Sequence, residues 1–316
     1  MPSWLTEAGV TAGALCGALI VDRAFGEPPV WMHPVVLMGR YLGALGPRLT
    51  RCKPVAAFVG GALAWSLGAI ASAGLACVAA RLMARLPPPM ALLGLALLFK
   101  PLLAWRMLHD EVAAVESALE RSLEEGRARL QRLVSREVGA LDTAQVREAA
   151  IESMAENLND SVVAPLFWFV VAGLPGAAVY RFANTADAMW GYRGRYEWAG
   201  KWAARADDLL SWLPARLTAL LLCLGAARGL RFGAVRRQAL ATPSPNGGWP
   251  MGTMALLLGV RLGKPGVYVL NAGGAPCEPA HSRQALAWGQ RAVLLAALLG
   301  MASTLAMAAV RAVTLS

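Results

Sequence analysis

Apolar residues run almost unbroken through Pro54 to Val78, Leu209 to Ala227 and Ala292 to Val310, each long enough to cross a hydrocarbon core as a helix. Met90 to Trp105 is slightly short, and Gly9 to Val21 is shorter still, a partial crossing or a buried helix. Val162 to Tyr180 is interrupted by Gly173-Leu174-Pro175-Gly176. The pattern predicts about five crossings. From 106 to 160 it changes: Val112, Val115, Leu119 and Leu123 recur at helical intervals among abundant Glu and Arg, which predicts two or three amphipathic water-facing helices. The expected fold is all-α and polytopic, one membrane-embedded domain over 1–316 with a helical water-facing insert at 106–160.

Composition agrees. Of 316 residues 57% are hydrophobic and 16% charged, with a mean hydropathy of +0.47, too apolar for an ordinary soluble chain of this length. The first apolar run has no basic residues before it and no clear small-residue cleavage site before Asp22-Arg23, so it does not read as a cleaved signal. The net charge of +10 comes from arginines beside the spans, a topology and lipid-headgroup signal, and the basic, aromatic stretch Gly191-Tyr192-Arg193-Gly194-Arg195-Tyr196 fits either bilayer headgroups or a large anionic ligand. No recognition motif points to nucleic acid. Cys16, Cys52, Cys77, Cys223 and Cys277 have neither paired nor CxxC spacing, and His33, His109 and His281 are dispersed, so no disulfide framework or zinc site is expected. The absence of a visible internal repeat weakens an inverted-repeat transporter.

Candidate chemistry concentrates in Ile151-Glu152-Ser153-Met154-Ala155-Glu156-Asn157-Leu158-Asn159-Asp160. At helical spacing Glu152, Glu156 and Asp160 lie close to one face with Asn157 beside it, and three like charges there ask for a cation such as Mg²⁺. The plainer reading is an acidic helix approach that complements the macrodipole. Arg181, Asn184 and Thr185 fall on one side of a helix that also carries Asp187, suited to an anion. Arg205 precedes Asp207-Asp208, which could hold a metal or cap the next helix. Ser244-Pro245-Asn246-Gly247-Gly248 is a turn whose backbone amides could wrap phosphate, although it is no Walker A loop. His33 before Pro34 is either structural or part of a site.

In this order the segments Gly26-Glu27-Pro28-Pro29 with His33-Pro34-Val35, Ile151 to Asp160 with Val163-Ala164-Pro165-Leu166-Phe167, Asn184-Thr185-Ala186-Asp187-Ala188-Met189, Ala204-Arg205-Ala206-Asp207-Asp208 with Pro214-Ala215-Arg216, and Ser244-Pro245-Asn246 resemble the adenosylcobinamide-phosphate synthase family of cobalamin biosynthesis, written CobD/CbiB. The resemblance covers nearly the whole chain. It implies an ATP- and Mg²⁺-dependent amide ligase that joins adenosylcobyric acid to aminopropanol or its phosphate through an acyl phosphate. It also implies a multi-pass protein of the inner, cytoplasmic membrane with its site on the cytoplasmic side, and other late cobalamin-pathway membrane enzymes as candidate partners.

On that resemblance Glu152, Glu156 and Asp160 would serve Mg²⁺ and nucleotide, and Asp187, Asp207 and Asp208 would be further metal or amine-binding carboxylates. Arg181 and Arg205 would stabilise phosphoryl charge. Asn157, Asn184, Thr185, Ser244, Asn246 and His33 would bind substrate or nucleotide. Four positions depart from the family pattern: Glu27 for Asp, Ser161 for Gly, Ser211 for Asn, and Met251 for an acidic residue after Trp-Pro. Met251 removes an acid, so the Ser244 loop is expected to bind and not to transfer protons.

For these motifs to share one side of the bilayer, residues 162–180 would have to dip in and return at the Gly173-Leu174-Pro175-Gly176 break, and 209–227 would need the same or a compensating turn elsewhere. The competing classes are a membrane corrinoid-binding protein or transporter and a lipid or alcohol phosphotransferase, the latter disfavoured because its dense DxxxD spacing is absent.

Overall fold

The structure, a computed structural model, describes residues 3–192 and 194–314; Arg193 of the basic aromatic stretch lies outside them. The helices in chain order are α1 Ser3–Phe25, α2 Pro34–Leu49, α3 Pro54–Met83, α4 Pro88–Phe99, α5 Trp105–Leu119, α6 Leu123–Leu130, α7 Thr143–Leu158, α8 Ala164–Trp190, α9 Lys201–Leu210, α10 Trp212–Gly225, α11 Phe232–Ala239, α12 Gly248–Leu258 and α13 Pro279–Thr314. A 3₁₀ turn follows α4, a π turn at Asn159–Val163 follows α7, and strands β1 Leu262–Lys264 and β2 Tyr268–Leu270 form the sole sheet among the described residues. Proline opens α2, α3 and α4, where a missing N–H costs nothing.

Among the described residues four helical stretches are long and apolar enough to cross a membrane, or six if the broken pairs 88–102 with 105–119 and 201–210 with 212–225 each count as one span. That range brackets the expected five. α1 is longer than its apolar core, because the helix continues through Asp22 and Arg23. One expectation is corrected: Leu209 to Ala227 is not one crossing helix. The chain breaks at Ser211, and α10 has 14 residues, about 21 Å at 1.5 Å per residue and short of a ~30 Å core. Hydropathy is blind to that break, since Leu209, Leu210, Trp212 and Leu213 are all apolar.

The chain divides into two compact units. The first comprises 1–104, 164–210 and 297–316. In it α1 packs on α4 through Gly13 and Gly17, where any Cβ would run into Leu92 or Ala96. Lipid gives no hydrophobic drive between helices, so such small residues earn their packing by close approach. α3 uses the same device, its buried Ala57, Gly61, Ala64 and Gly68 falling on one stripe, and Phe182 of α8 seats over Gly68. Around them Leu42, Ala186, Trp190 and Ala203 complete a core. α8 breaks where the sequence placed an interruption: Ala172 is at φ −136°, ψ 17° and Gly173 at φ 65°, a left-handed value that glycine tolerates.

Asp22, Glu27, His33 and Lys100 gather in this unit. Lys100 Nζ lies 3.3 Å from Asp22 Oδ1 and 3.0 Å from Glu27 Oε2, and His33 Nε2 is 3.0 Å from the same Glu27 oxygen. His33 is also the N-cap of α2, its Nδ1 accepting from the Val35 N–H at 3.2 Å, so its proton sits on Nε2 and is donated to Glu27. Burial pushes the Glu27 carboxyl up, but the bonds from His33 and Lys100 outweigh it and hold the group below its ordinary value.

The second unit comprises 105–163 and 211–296. α5 buries a stripe that includes Val112 and Val115, the pattern expected there, whereas α7 is buried on most of its surface from Val146 to Leu158 and is not a water-facing helix. A bidentate pair between Arg147 and Glu116, at 2.8 to 3.0 Å, ties α7 to α5. α7 starts at a capping box, Asp142 accepting from the Gln145 N–H while the Gln145 side chain accepts from the Asp142 N–H. One face of α7 packs against α12 and β1.

Candidate active site

Residue spacing on α7 sets the first wall of the site. Glu152 and Glu156, one helical turn apart, both line a cavity of about 290 Å³, together with Ser153, Asn157, Arg136, Ser244, Met251, Lys264 and Tyr268. Glu152, Glu156, Asn157 and Ser244 were thus legible as candidates and are brought together. Asp160 does not line this cavity. It lies in the π turn, where the chain leaves the 3.6-residue period, and its Oδ1 accepts from Asn159 Nδ2 at 2.8 Å. The Asn159 side-chain oxygen Oδ1 in turn accepts from the buried Thr218 hydroxyl at 3.1 Å, fixing the π turn to α10.

Glu152 is buried and fully engaged. Its Oε1 accepts from the Tyr268 hydroxyl at 2.7 Å and its Oε2 from Arg136 Nη2 at 3.2 Å. Burial, with the Glu152 and Glu156 carboxylates alongside, drives the Tyr268 phenol well above its ordinary value, so it remains the donor. Asn157 spends its amide nitrogen on the Ser153 carbonyl at 2.9 Å. Gly247 lets the Ser244 loop approach α7: a Cβ there would stand 2.9 Å from Glu156 Oε1 and 3.3 Å from the Met251 methyl.

Arg136, Lys264 and Tyr268 escaped the sequence reading. Arg136 comes from an irregular segment between α6 and α7. The other two sit opposite each other in the β1–β2 hairpin, whose register pairs Lys264 with Tyr268. That hairpin does have a sequence signal: Pro265-Gly266 between Gly263-Lys264 and Val267-Tyr268-Val269-Leu270. Gly266 is at φ 72° and the Val267 N–H donates to the Lys264 carbonyl at 2.9 Å, as a type II turn requires.

The Ser244 loop differs from expectation. Its amides do not face outward to wrap an anion, because the Asn246 and Gly247 N–H groups both donate to Ser244 Oγ at 3.1 Å. Asn246 is buried, with its Oδ1 accepting from Arg216 Nη1 at 2.8 Å while Nη2 reaches the Pro245 carbonyl at 3.2 Å. The Arg216 guanidinium is stacked between Trp212 and Trp249, 4.5 and 4.7 Å from their centroids. Arg216 therefore clamps the loop.

The remaining candidates belong to the first unit. On α8, Arg181 Nη1 donates to Asn184 Oδ1 at 3.4 Å and the Thr185 hydroxyl donates back to the Arg181 carbonyl at 2.7 Å; the Asp187 carbonyl accepts from the Gly191 N–H. Arg205, Asp207 and Asp208 lie inside α9, so the two aspartates do not cap α10. Both His33 ring nitrogens are engaged within the protein.

Among the described residues no three His, Cys, Asp or Glu side chains converge as a metal centre. Mg²⁺, however, is usually held by one or two carboxylates plus substrate phosphates and water, and the Glu152–Glu156 pair beside the cavity fits that smaller demand.

Comparison with known proteins agrees over most of the length. The family model described as CobD/Cbib protein matches residues 15–311. A probable cobalamin biosynthesis protein CobD of Pyrococcus furiosus is 43% identical over 253 residues, covering 79% of this chain and 85% of that protein. Cobalamin biosynthesis proteins CobD of Chromobacterium violaceum, 44% identical over 256 residues with 78% and 79% covered, and of Brucella anthropi, 39% identical over 285 residues with 81% and 85% covered, are similar as well. No solved structure matches this chain.

Proposed function

Because the chain belongs to the CobD/CbiB family of cobalamin biosynthesis proteins, we propose that it is an ATP-dependent amide ligase that joins adenosylcobyric acid to (R)-1-amino-2-propanol O-phosphate, or to free aminopropanol, giving adenosylcobinamide phosphate or adenosylcobinamide. The observation that carries this reading is the cavity in which paired carboxylates, Glu152 and Glu156, meet cationic side chains. A carboxylate cannot lose its oxygen to an amine unaided. Its oxygen would attack the terminal phosphorus of ATP, with ADP leaving, and the amine would then displace phosphate from the acyl carbon and give up its proton.

Such chemistry is mostly positioning and charge neutralisation. Mg²⁺, when bound, would neutralise the triphosphate. Glu152 and Glu156, which line the cavity, are the residues proposed to hold it. Asn157 and Ser244, which line the same cavity, are proposed to orient substrate groups. The membrane proposed is the cytoplasmic one, with the site facing the cytoplasm, where ATP and corrinoid are found.

The test supplies the detergent-purified protein with adenosylcobyric acid, ATP, Mg²⁺ and either amine, and resolves corrinoid products by mass. A gain of the amine mass, with ADP released only when both substrates are present, is expected and names the donor. Glu156→Gln should abolish this turnover in a protein that remains folded. Tight corrinoid binding with no product would instead favour a corrinoid-binding protein or transporter.

A further inference from the structure

The cavity beside Glu152 holds two cations to which no role has yet been given. Arg136 gives Nη2 to Glu152, but its Nε and Nη1 are buried without a hydrogen-bond partner among the described residues. Lys264, half-buried on the hairpin, lines the same cavity and makes no ion pair among the described residues. The wider groove between α5 and α6, about 500 Å³, is a useful contrast. Arg129 Nε there is also buried without a hydrogen-bond partner, but each arginine has a carboxylate, Arg121 to Glu125 and both Arg129 and Arg132 to Glu111, whereas Lys264 has none among the described residues. Buried guanidinium N–H groups are costly to leave unpaired, so their presence at a cavity wall points to an acceptor that the protein itself does not provide.

We propose that Arg136 and Lys264 form an oxyanion subsite for a phosphoryl group of a small substrate. A guanidinium offers fixed planar donors and an ammonium a mobile point charge, the pair of functions that phosphate oxygens take up. Glu152 holds the Arg136 guanidinium in place, and Tyr268 holds Glu152, so Tyr268 is a positioning residue at second remove. Glu156, lining the same cavity, would hold a divalent ion whose charge offsets that of the phosphate. The cavity, about 290 Å³, has room for a phosphoryl group and the part of the reactant next to it. The inference rests on the ligase reading only for the identity of the phosphorylated substrate, which is either the nucleotide or the O-phosphorylated amino alcohol.

The experiment measures equilibrium binding by the full chain in nanodiscs, with Mg²⁺, of three probes: a non-hydrolysable ATP analogue, 1-amino-2-propanol O-phosphate and free 1-amino-2-propanol. Two variants are compared. Lys264→Met removes an unpaired cation; Arg136→Lys keeps a positive charge beside Glu152 while removing the planar set of donors. Each should weaken at least one phosphorylated probe by roughly tenfold to a hundredfold while binding of the free amino alcohol is unchanged, and the probe affected names the source of the phosphate. If both variants bind the phosphorylated probes as the wild type does, the subsite is wrong even though amide formation may proceed normally. Equal loss of the free amino alcohol would also overturn it, marking loss of the cavity itself. A wild-type protein that binds neither phosphorylated probe and forms no amide would remove the ligase reading along with the subsite.

Discussion

The Tyr268 hydroxyl donates to Glu152 Oε1 at 2.7 Å, joining residues 116 positions apart and pinning the β hairpin to α7. Tyr268→Phe leaves a buried carboxylate oxygen without its donor, which costs about 1–3 kcal/mol. The expected outcome is a lower unfolding midpoint in denaturant together with slower amide formation. A variant with unchanged stability would mean that this bond contributes nothing net.

Gly247 owes its identity to Glu156. Gly247→Ala would put a methyl 2.9 Å from Glu156 Oε1, tighter than carbon and oxygen accept, and the side chain would have to swing aside. If Glu156 serves Mg²⁺, the half-saturating Mg²⁺ concentration for amide formation should rise several-fold while the fold is kept. Titration of the rate with Mg²⁺ at saturating ATP checks this.

Ser244 Oγ accepts two backbone N–H groups, from Asn246 and Gly247, both at 3.1 Å. Ser244→Ala strands both, a loss comparable to a helix N-cap at about 0.5–2 kcal/mol. Faster amide hydrogen exchange confined to residues 242–248 is expected, with Arg216→Lys producing the same signature because a lysine cannot reproduce the contacts to Asn246 and Pro245. Exchange unchanged in both variants would show that the loop is held by other means.

Glu27 makes a prediction about pH. Its carboxyl is held below the ordinary value of 4.5 in the folded protein, so it binds fewer protons there than in the unfolded chain. The stability it contributes is therefore full above pH 4.5 and is lost as pH falls through the lower folded value. Thermal midpoints in detergent should decline in that acid range, and Glu27→Gln should be less stable at pH 7 yet decline less steeply. An unaltered slope in the variant would mean the carboxyl is not charged in the folded state.

Much of this was written in local sequence. The apolar runs, the buried stripe of α5 and the break beside Gly173 all follow from residue pattern, because each depends on neighbours within a turn or two. The acidic face of α7 was legible for the same reason, as far as Glu156. It failed at Asp160 because the π turn at Asn159 shifts the phase, and no propensity announces a π turn. Ser211 broke an expected helix without any change in hydropathy. Arg136, Lys264 and Tyr268 were hidden for another reason: each reaches the cavity from outside a helix, and its partner on α7 is far away in the chain. Only the Pro265-Gly266 turn offered a local hint.

His33 carries a consequence for how this protein can vary. One ring nitrogen starts α2 and the other clasps Glu27, in a geometry that fixes which of them bears the proton. Asparagine could begin the helix but is too short to reach the carboxylate, and glutamine could reach but is a poor helix starter. Neither replacement inherits both duties, so drift at this position would have to be preceded by change at residue 27 or residue 100. The order in which the three can be exchanged is constrained even where each exchange alone looks conservative.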